Sequence, residues 1–426
     1  QTCAFSKTPE IPLSFDLSIL VPFSPECQLS GVSRQLKPGE YLWYRRTITL
    51  AKPQQDKRIL LHFGAADQTA EVFVNRISAV RHCGGYLPFS ADITDYLQEG
   101  DNELIVRIQD ESNTSWHARG KQSLKPGGMF YTAQSGLWQT VWMEIVPVNY
   151  IEQIFYHTDY DQGLVHLKVL TQHSAPVECV ISGKDMEPVC INGMTNSELI
   201  VSLPDFHPWT PEDPFLYLVS LKSGVDRVSS YFAMRKCDIQ TAPDGTQRFF
   251  LNNKPYFQAG VLDQGYWPES LYTAPTDEAL TADISRMKKL GFNMLRKHAK
   301  IEPERFYYHC DQLGMLVWQD MVNGGSAYKH WFVTYLATLM NWNHISFSDD
   351  EKHAGLLSRL HPEGKDEFRR EITETIAFLY NHPSIVVWVP FNEGWGQFDA
   401  KQITRLVRKL DPTRLIDHAS GWHDQG

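Results

Sequence analysis

Residues 385–395, IVVWVPFNEGW, decide how the rest of the chain is read. Ile385–Val389 is a run of five apolar residues, the pattern of a strand buried on both faces, as in a parallel sheet. Pro390 removes a backbone donor, so the ladder ends there. Asn392 and Glu393 then stand where the strand should stop, followed by Gly394 and Gly396 around Trp395, which predicts a turn. A carboxylate at that place is ordered by the strand yet open to a cleft, where barrel enzymes keep their chemistry. The plain alternative is a loop glutamate that caps the next helix.

The chain on either side shows a barrel under construction. From about residue 241, short apolar strands alternate with helices of 3.6 periodicity, the grammar of a parallel α/β fold. Predicted strands are Phe257–Leu262, Asn293–Arg296, Met315–Trp318, Ile385–Val389 and one opening at Arg414–Asp417. The first helix carries Asp277 and Glu278 in its first turn and the stripe Leu280, Ile284, Met287 and Leu290, ended by Gly291. The second starts at Pro303, turns Phe306, Tyr307, Cys310 and Leu313 inward and ends at Gly314. The third places Phe368, Ile372, Ile376 and Leu379 on one face, and the fourth Ile403, Leu406, Val407 and Leu410. A long insertion occupies 321 to about 361. Five strands are fewer than the eight, on about 250 residues, that a closed barrel needs. The segment 241–426 therefore reads as an incomplete TIM barrel, and the chain as the N-terminal portion of a longer protein.

Upstream the pattern is all β. Over 1–147, Tyr41–Leu50, Arg58–Phe63, Ala70–Asn75 and Glu103–Gln109 alternate with turn signals, as in a jelly roll or sandwich. Over 148–240, five to seven strand candidates, including Val165–Leu170, Val177–Ser182, Glu198–Leu203, Tyr217–Leu221 and Ser229–Met234, predict a smaller immunoglobulin-like sandwich. The stretch 115–128 (SWHARGKQSLKPGG) is polar and long for a connection, which points to a functional loop or to disorder.

Composition narrows the partners. A net charge of −10 over 426 residues argues against nucleic acid or an anionic membrane surface. No apolar run approaches the roughly 20 residues that span a bilayer. The seven cysteines (Cys3, Cys27, Cys83, Cys179, Cys190, Cys237, Cys310) are scattered without a C-x-x-C pair, which speaks against a structural zinc. An odd number leaves at least one thiol free or paired between chains. Compartment stays open, a periplasmic or secreted one being favoured over the cytoplasm, since a removed signal peptide leaves no trace.

Seven stretches, in order and over nearly the whole chain, resemble glycoside hydrolase family 2, the β-galactosidases, β-glucuronidases and β-mannosidases. They are YLWYRRTITL (41–50), SGLWQTVWMEIVP (135–147), WTPEDPFLYLV (209–219), FLNNKPYFQAGV (250–261), DISRMKKLGFNMLRKH (283–298), DQLGMLVWQDM (311–321) and FNEGWG (391–396). The resemblance implies a sugar-binding-like first sandwich and a retaining hydrolase of β-glycosides using two carboxylates about 5–5.5 Å apart. Glu393 matches the family's acid/base, and Asn392 the neighbour that hydrogen-bonds the sugar 2-hydroxyl. The nucleophile belongs at the seventh strand, beyond residue 426. Other groups at strand ends are expected to line the same mouth: Asp263, Arg296 and His298, Asp320, and His418. Each has a rim ion pair or hydrogen bond as its structural alternative. Trp395 and Trp422 are candidates to stack on sugar, or to be core. The chain departs from the family at RKHAK (296–300), where Arg and His stand two apart rather than three. At WQDMVNGG (318–325) it lacks the Glu and His that bind magnesium in some galactosidases. Both departures weaken galactosidase specificity and a metal, and no cofactor is expected. The competing readings are a carbohydrate-binding or scaffolding protein with a degenerate barrel and a cellulase-like barrel hydrolase, the latter opposed by the two leading β-domains. Five strands leave two open edges, so homo-oligomerisation or rearrangement of the barrel segment is expected to hide them.

Overall fold

The computed structural model describes residues 1–51, 55–329, 331–342 and 348–425, without the side chains of 333, 334, 337 and 341. The parts of the predicted insertion at 330 and 343–347 lie outside the described residues.

The N-terminal region packs two antiparallel sheets face to face. Six strands run in the order Leu17–Ser18, Thr2–Ser6, Tyr41–Leu50, Gly100–Gln109, Thr69–Val74, Ile77–Cys83, and three in the order Val141–Pro147, Lys57–Phe63, Phe89–Asp92. Alternate residues of both sheets, among them Leu42, Val106 and Val72 against Ile59, Leu61 and Phe63, bury one core. The period-2 pattern of the sequence is the cause. The next region repeats the scheme with three strands (Ile151–Asp159, Leu164–Thr171, Glu198–Ser202) against four (Val189–Met194, Pro176–Ser182, Tyr217–Ser223, Asp226–Phe232). Of these seven, Ile151–Asp159 and Val189–Met194 were not singled out from the sequence. The expected boundary at 240–241 falls inside a strand: Cys237–Thr241 pairs with Gln247–Leu251 in a small antiparallel sheet.

The parallel sheet follows. Its strands are β1 (Gly260–Asp263), β2 (Met294–Lys297), β3 (Leu316–Asp320), β4 (Ile385–Val389) and β5 (Leu415–Ile416), paired in chain order. The crossover helices between them are α1 (Asp277–Lys289), α2 (Glu304–Leu313), α3 (Pro362–Leu379) and α4 (Ala400–Leu410), and the insertion after β3 adds a π-helical turn, Trp331–Leu336, and a short helix, Ala337–Trp342. Thr276 caps α1 by accepting from the Ala279 N–H, and Gly314 ends α2 in the left-handed conformation. Two expectations are corrected. β1 starts at Gly260, not Phe257, because Asn293 takes the Ala259 N–H and Phe257 carbonyl with its side chain and Phe257 stays exposed. Leu290, assigned to the buried stripe of α1, is exposed beyond its last turn, whereas Leu280 and Ile284 are buried.

The three regions are joined through shared cores. Tyr86, Leu87 and Trp138 of the first sandwich pack with Ile284, Phe306, Phe368 and Trp388 of the barrel. Trp209 and Cys237 close the other end against Leu316 and Val387. The buried Arg235 guanidinium donates to the carbonyls of Pro383 and Ile385, tying the second sandwich to the start of β4. All seven cysteines are free, five of them buried. Among the described residues no helix is long and apolar enough to cross a membrane.

Candidate active site

Every residue of β4 is buried, and the chain leaves it through Pro390 and the buried Phe391. Asn392 and Glu393 come next and are half-buried. Glu393 has φ +52°, a left-handed conformation costing a non-glycine residue of order 1–3 kcal/mol unless its surroundings enforce it. They do: the Glu393 N–H donates to the Ser420 carbonyl at 2.9 Å and the Ser420 N–H to that of Phe391 at 3.0 Å. The turn after β5 thus clamps the turn after β4. Gly396, at φ +66°, closes that turn so tightly that a Cβ there would lie 2.2 Å from the Gly324 carbonyl. Arg359 holds the same turn through Nε to the Gly396 carbonyl at 2.7 Å.

Asp320, at the end of β3 and 1% exposed, is the acceptor about which the site is built. Arg296 at the end of β2 grips it from two nitrogens, Nε at 2.9 Å and Nη2 at 3.2 Å. His298 Nδ1 lies 2.7 Å from its Oδ2, and since a carboxylate can only accept, Nδ1 carries the proton. The Ala299 N–H adds a further donor at 3.3 Å. Arg296 then reaches across the sheet, Nη2 to Asn392 Oδ1 at 3.0 Å and Nη1 to Ser420 Oγ at 2.7 Å. The Asn392 oxygen is therefore occupied and its amide N–H groups are the ones left to offer. The Glu393 carboxylate, by contrast, makes no hydrogen bond or ion pair with any described residue. A buried frame of spoken-for polar groups surrounds one uncommitted carboxyl, which is the condition for a group that must exchange protons with a ligand.

The structure brings Arg296, His298, Asp320, Asn392 and Glu393 together but not the remaining candidates. Asp263 sits on the helix side of β1, accepting from Lys297 Nζ at 2.7 Å and from the Gly265 N–H at 2.9 Å. Burial pushes its carboxyl up, and Lys297 with Lys300 outweighs that, holding it below the usual range. Its strand register explains the difference: Asp263 pairs with Lys297 and Leu262 with Arg296, so Asp263 shares its face with the lysine and not with the arginine. His418 lies 3.0 Å from Asp424 and touches none of the cluster. Trp395 is withdrawn from the cleft: it is 3% exposed and packs on Phe130 at 5.4 Å and Tyr328 at 4.8 Å. Trp422 is half-buried.

Sequence reasoning missed Ser420, Asp417 and Lys121. Asp417 follows β5 directly; burial pushes its carboxyl up, against Ser420 and Arg296. Lys121 comes from the 115–128 stretch, which is an ordered arm laid over the barrel. The N–H groups of Arg119 and Gly120 both donate to the Asn323 carbonyl at 3.0 Å. The Arg119 side chain donates to the carbonyls of Gly325 and Ser326, and His117 Nδ1 meets Glu367 of α3 at 2.7 Å. The length and polarity of that stretch were its only sequence signal. Among the described residues one group has ligand atoms spaced for a metal, Cys83, His117 and Glu367, at the seam of this arm and α3.

A model described as the TIM barrel domain of glycosyl hydrolases family 2 matches residues 245–425, and one described as the sugar binding domain of the same family matches 34–143. A β-galactosidase of Thermoanaerobacter pseudethanolicus is 25% identical over 394 residues, covering 87% of this chain and 47% of the relative. A β-glucuronidase of Rattus norvegicus is 25% identical over 422 residues, covering 89% of this chain and 59% of the relative. The chain thus spans about half to three-fifths of the length of these relatives. Among solved structures, a β-glucuronidase of an uncultured Clostridium sp. superimposes with a TM-score of 0.74 at 21% identity, over 97% of this chain and 70% of that one. One from Dictyoglomus thermophilum does so with 0.74 at 20% identity, over 98% and 71%. At such identity the structures establish the fold.

Proposed function

Since the chain belongs to glycoside hydrolase family 2, we propose that it is the N-terminal portion of a retaining β-glycosidase, in which Glu393 is the acid/base. The observation that carries the reading is the uncommitted carboxyl of Glu393 beside an Asn392 whose oxygen Arg296 already holds. As acid, Glu393 gives its proton to the glycosidic oxygen as the bond to the anomeric carbon breaks. A second carboxylate attacks that carbon and forms the glycosyl-enzyme. Glu393, now a carboxylate, takes a proton from the water that releases the sugar. Asn392, with N–H groups to offer, donates to the ring 2-hydroxyl, and Arg296, His298 and Asp320 keep it in register. The attacking carboxylate is assigned to barrel strands of the whole protein that follow Gly426. The substrate is a carbohydrate with a β-linked, non-reducing-end sugar. The relatives' names, β-galactosidase and β-glucuronidase, leave the sugar between neutral hexose and uronic acid.

The test is Glu393→Gln in the full-length protein, which keeps the shape of the side chain and removes the proton. Turnover of β-glycosides with poor leaving groups falls by about a hundredfold or more. Activated aryl glycosides, which need little protonation, lose less in the glycosylation step. Equal loss on both kinds of substrate in that step would make Glu393 structural and favour a binding protein.

A further inference from the structure

At the seam between the arm and α3, three donor side chains from three segments converge. Cys83 ends the strand Ile77–Cys83 of the first sandwich, His117 belongs to the arm, and Glu367 lies on the second turn of α3. They stand 34 and 250 positions apart in the chain, yet one ligand atom of each lies within 4.8 Å of the others. Two of them meet on the same carboxylate oxygen, Glu367 Oε2: His117 Nδ1 at 2.7 Å and Cys83 Sγ at 3.9 Å. The other oxygen, Oε1, accepts from the Ala118 N–H at 3.3 Å, so the backbone of the arm orients the carboxylate. The seam is held on both sides of the cluster. A Cβ on Gly364 of α3 would meet the Trp116 ring at 2.9 Å, and Arg370 Nη2 donates to the Cys83 carbonyl at 3.2 Å. Three donors are thus fixed by their surroundings before anything binds.

A plain imidazole–carboxylate pair accounts for two of these groups but not for the thiol. At 3.9 Å the S–H contact with Oε2 is a weak hydrogen bond, whereas the separation suits two ligands of one metal ion. With Zn–S of about 2.3 Å and Zn–N and Zn–O of about 2.0–2.2 Å, tetrahedral edges are about 3.5 Å for S–O and about 3.4 Å for N–O. Sγ and Oε2 would close by about 0.4 Å, and Nδ1 and Oε2 would open by about 0.7 Å as the ion replaces the proton between them. Sulfur, imidazole and a single carboxylate are the donor set of zinc; magnesium and calcium take oxygen. The charges agree. A thiolate and a carboxylate cancel a divalent cation. Of the neighbours, Glu371, one turn along α3, and Asp110, which accepts from the Ser112 N–H at 2.6 Å, are carboxyls and favour a cation. The nearby guanidiniums are engaged elsewhere: Arg370 has Glu374 at 3.7 Å, and Arg359 donates to the carbonyls of Gly396 and Gly364.

We propose that Cys83, His117 and Glu367 bind one divalent cation of the zinc kind, with water in the fourth position, and that the ion pins the arm and the first sandwich to α3. Binding breaks the Cys83 S–H bond and forms a metal–sulfur bond, the proton passing to solvent, and the imidazole binds through Nδ1 with its proton on Nε2. Water reaches the ion past His117, whose side chain is 20% exposed. The arm in turn holds the chain after β3 through the Asn323 carbonyl, so the ion braces a wall of the candidate active site. The site shares no residue with the β-glycosidase reading and does not depend on it.

The experiment titrates the chelator-treated full-length protein with Co2+, a coloured probe for a zinc site, at pH 7. The wild type gains a sulfur-to-cobalt charge-transfer band in the near ultraviolet and the intense visible bands of four-coordinate cobalt, and Zn2+ removes both. Cys83→Ser abolishes the charge-transfer band, while Cys190→Ser, at an exposed cysteine of the second sandwich, leaves it. Glu367→Gln weakens Co2+ binding by about tenfold or more, at least what loss of an outer-shell partner costs. Hydrogen exchange read by mass spectrometry tests the pinning. With Zn2+ at ten times its dissociation constant, opening of the arm falls by about tenfold in the wild type and is unchanged in Cys83→Ser. A wild type without the charge-transfer band, a band that survives Cys83→Ser, full affinity in Glu367→Gln, or arm exchange indifferent to Zn2+ each overturns the proposal. The wild-type band, its exchange and the Glu367→Gln affinity give the answer even where Cys83→Ser does not fold.

Discussion

Asp320→Asn is the substitution whose consequences the geometry fixes most closely. The carboxylate is 1% exposed. Oδ1 takes Arg296 Nε at 2.9 Å, while Oδ2 takes Arg296 Nη2 at 3.2 Å, His298 Nδ1 at 2.7 Å and the Ala299 N–H at 3.3 Å. Asparagine keeps the shape but has one oxygen. Placed at the Oδ2 position, it turns its NH2 toward Arg296 Nε, donor against donor; flipped, it loses all three contacts on the other side. Either way a half-buried guanidinium, its side chain 17% exposed, is left without its counter-charge, which costs about 3 kcal/mol, the low end for a buried pair. Arg296 then loosens its hold on Asn392 and Ser420, so the damage reaches the turn that carries Glu393. Hydrogen exchange read by mass spectrometry measures this locally. Amides of β2 and β3 lose about a hundredfold or more of their protection, following the conversion of 1.4 kcal/mol per tenfold. The second-sandwich strand Leu164–Thr171, which shares no bond with Asp320, keeps its own. A loss below tenfold in β2 and β3, or an equal loss in both regions, would refute the claim that Asp320 organises the site.

Three further outcomes follow from other parts of the molecule. Burial and the charge of Glu367 push Glu371 from 4.5 to about 8, so the folded state holds a proton that the unfolded chain has released. That contribution to stability is full below about pH 4.5 and is lost as pH rises through about 8. Glu371→Gln should flatten the fall in melting temperature between pH 6 and 9 measured by calorimetry, and an unchanged slope would contradict the assignment. Gly396→Ala places a Cβ 2.2 Å from the Gly324 carbonyl at φ +66°, so the 394–396 turn must move. In the full-length protein kcat/KM should drop by tenfold or more, roughly the effect of an ångström-scale misplacement, with the circular dichroism unchanged; wild-type kinetics would show the contact to be slack. On the reading proposed above, residues 1–426 alone would leave β1 and β5 as sheet edges and hold the acid/base without its nucleophile. Light scattering should report self-association, and aryl β-glycosides should not turn over; a monodisperse monomer would count against the first and turnover against the second.

Local patterns sufficed for the barrel strands and the helices between them, and for their kind. The run Ile385–Val389 and the stripe Phe368, Ile372, Ile376 and Leu379 state their burial in the sequence, because period and apolarity are properties of neighbouring residues. The Asn-Glu pair was legible for the same reason: strand, proline and glycines lie within the twelve residues 385–396. Which polar groups meet was a different matter. Asp263 and Asp320 both end barrel strands, yet one faces the helices and the other the site, and only the register between strands separates them. Trp395 stands within the turn that follows Glu393 and is core, because an insertion and a segment of another region close over it. Lys121 shows the limit most plainly. It lies 272 positions before Glu393, and no spacing rule relates them. What places it there is the docking of a β-sandwich loop on a barrel through carbonyls of Asn323, Gly325 and Ser326. Backbone carbonyls carry no sequence signature, so a contact made through them is settled only when the chain has folded.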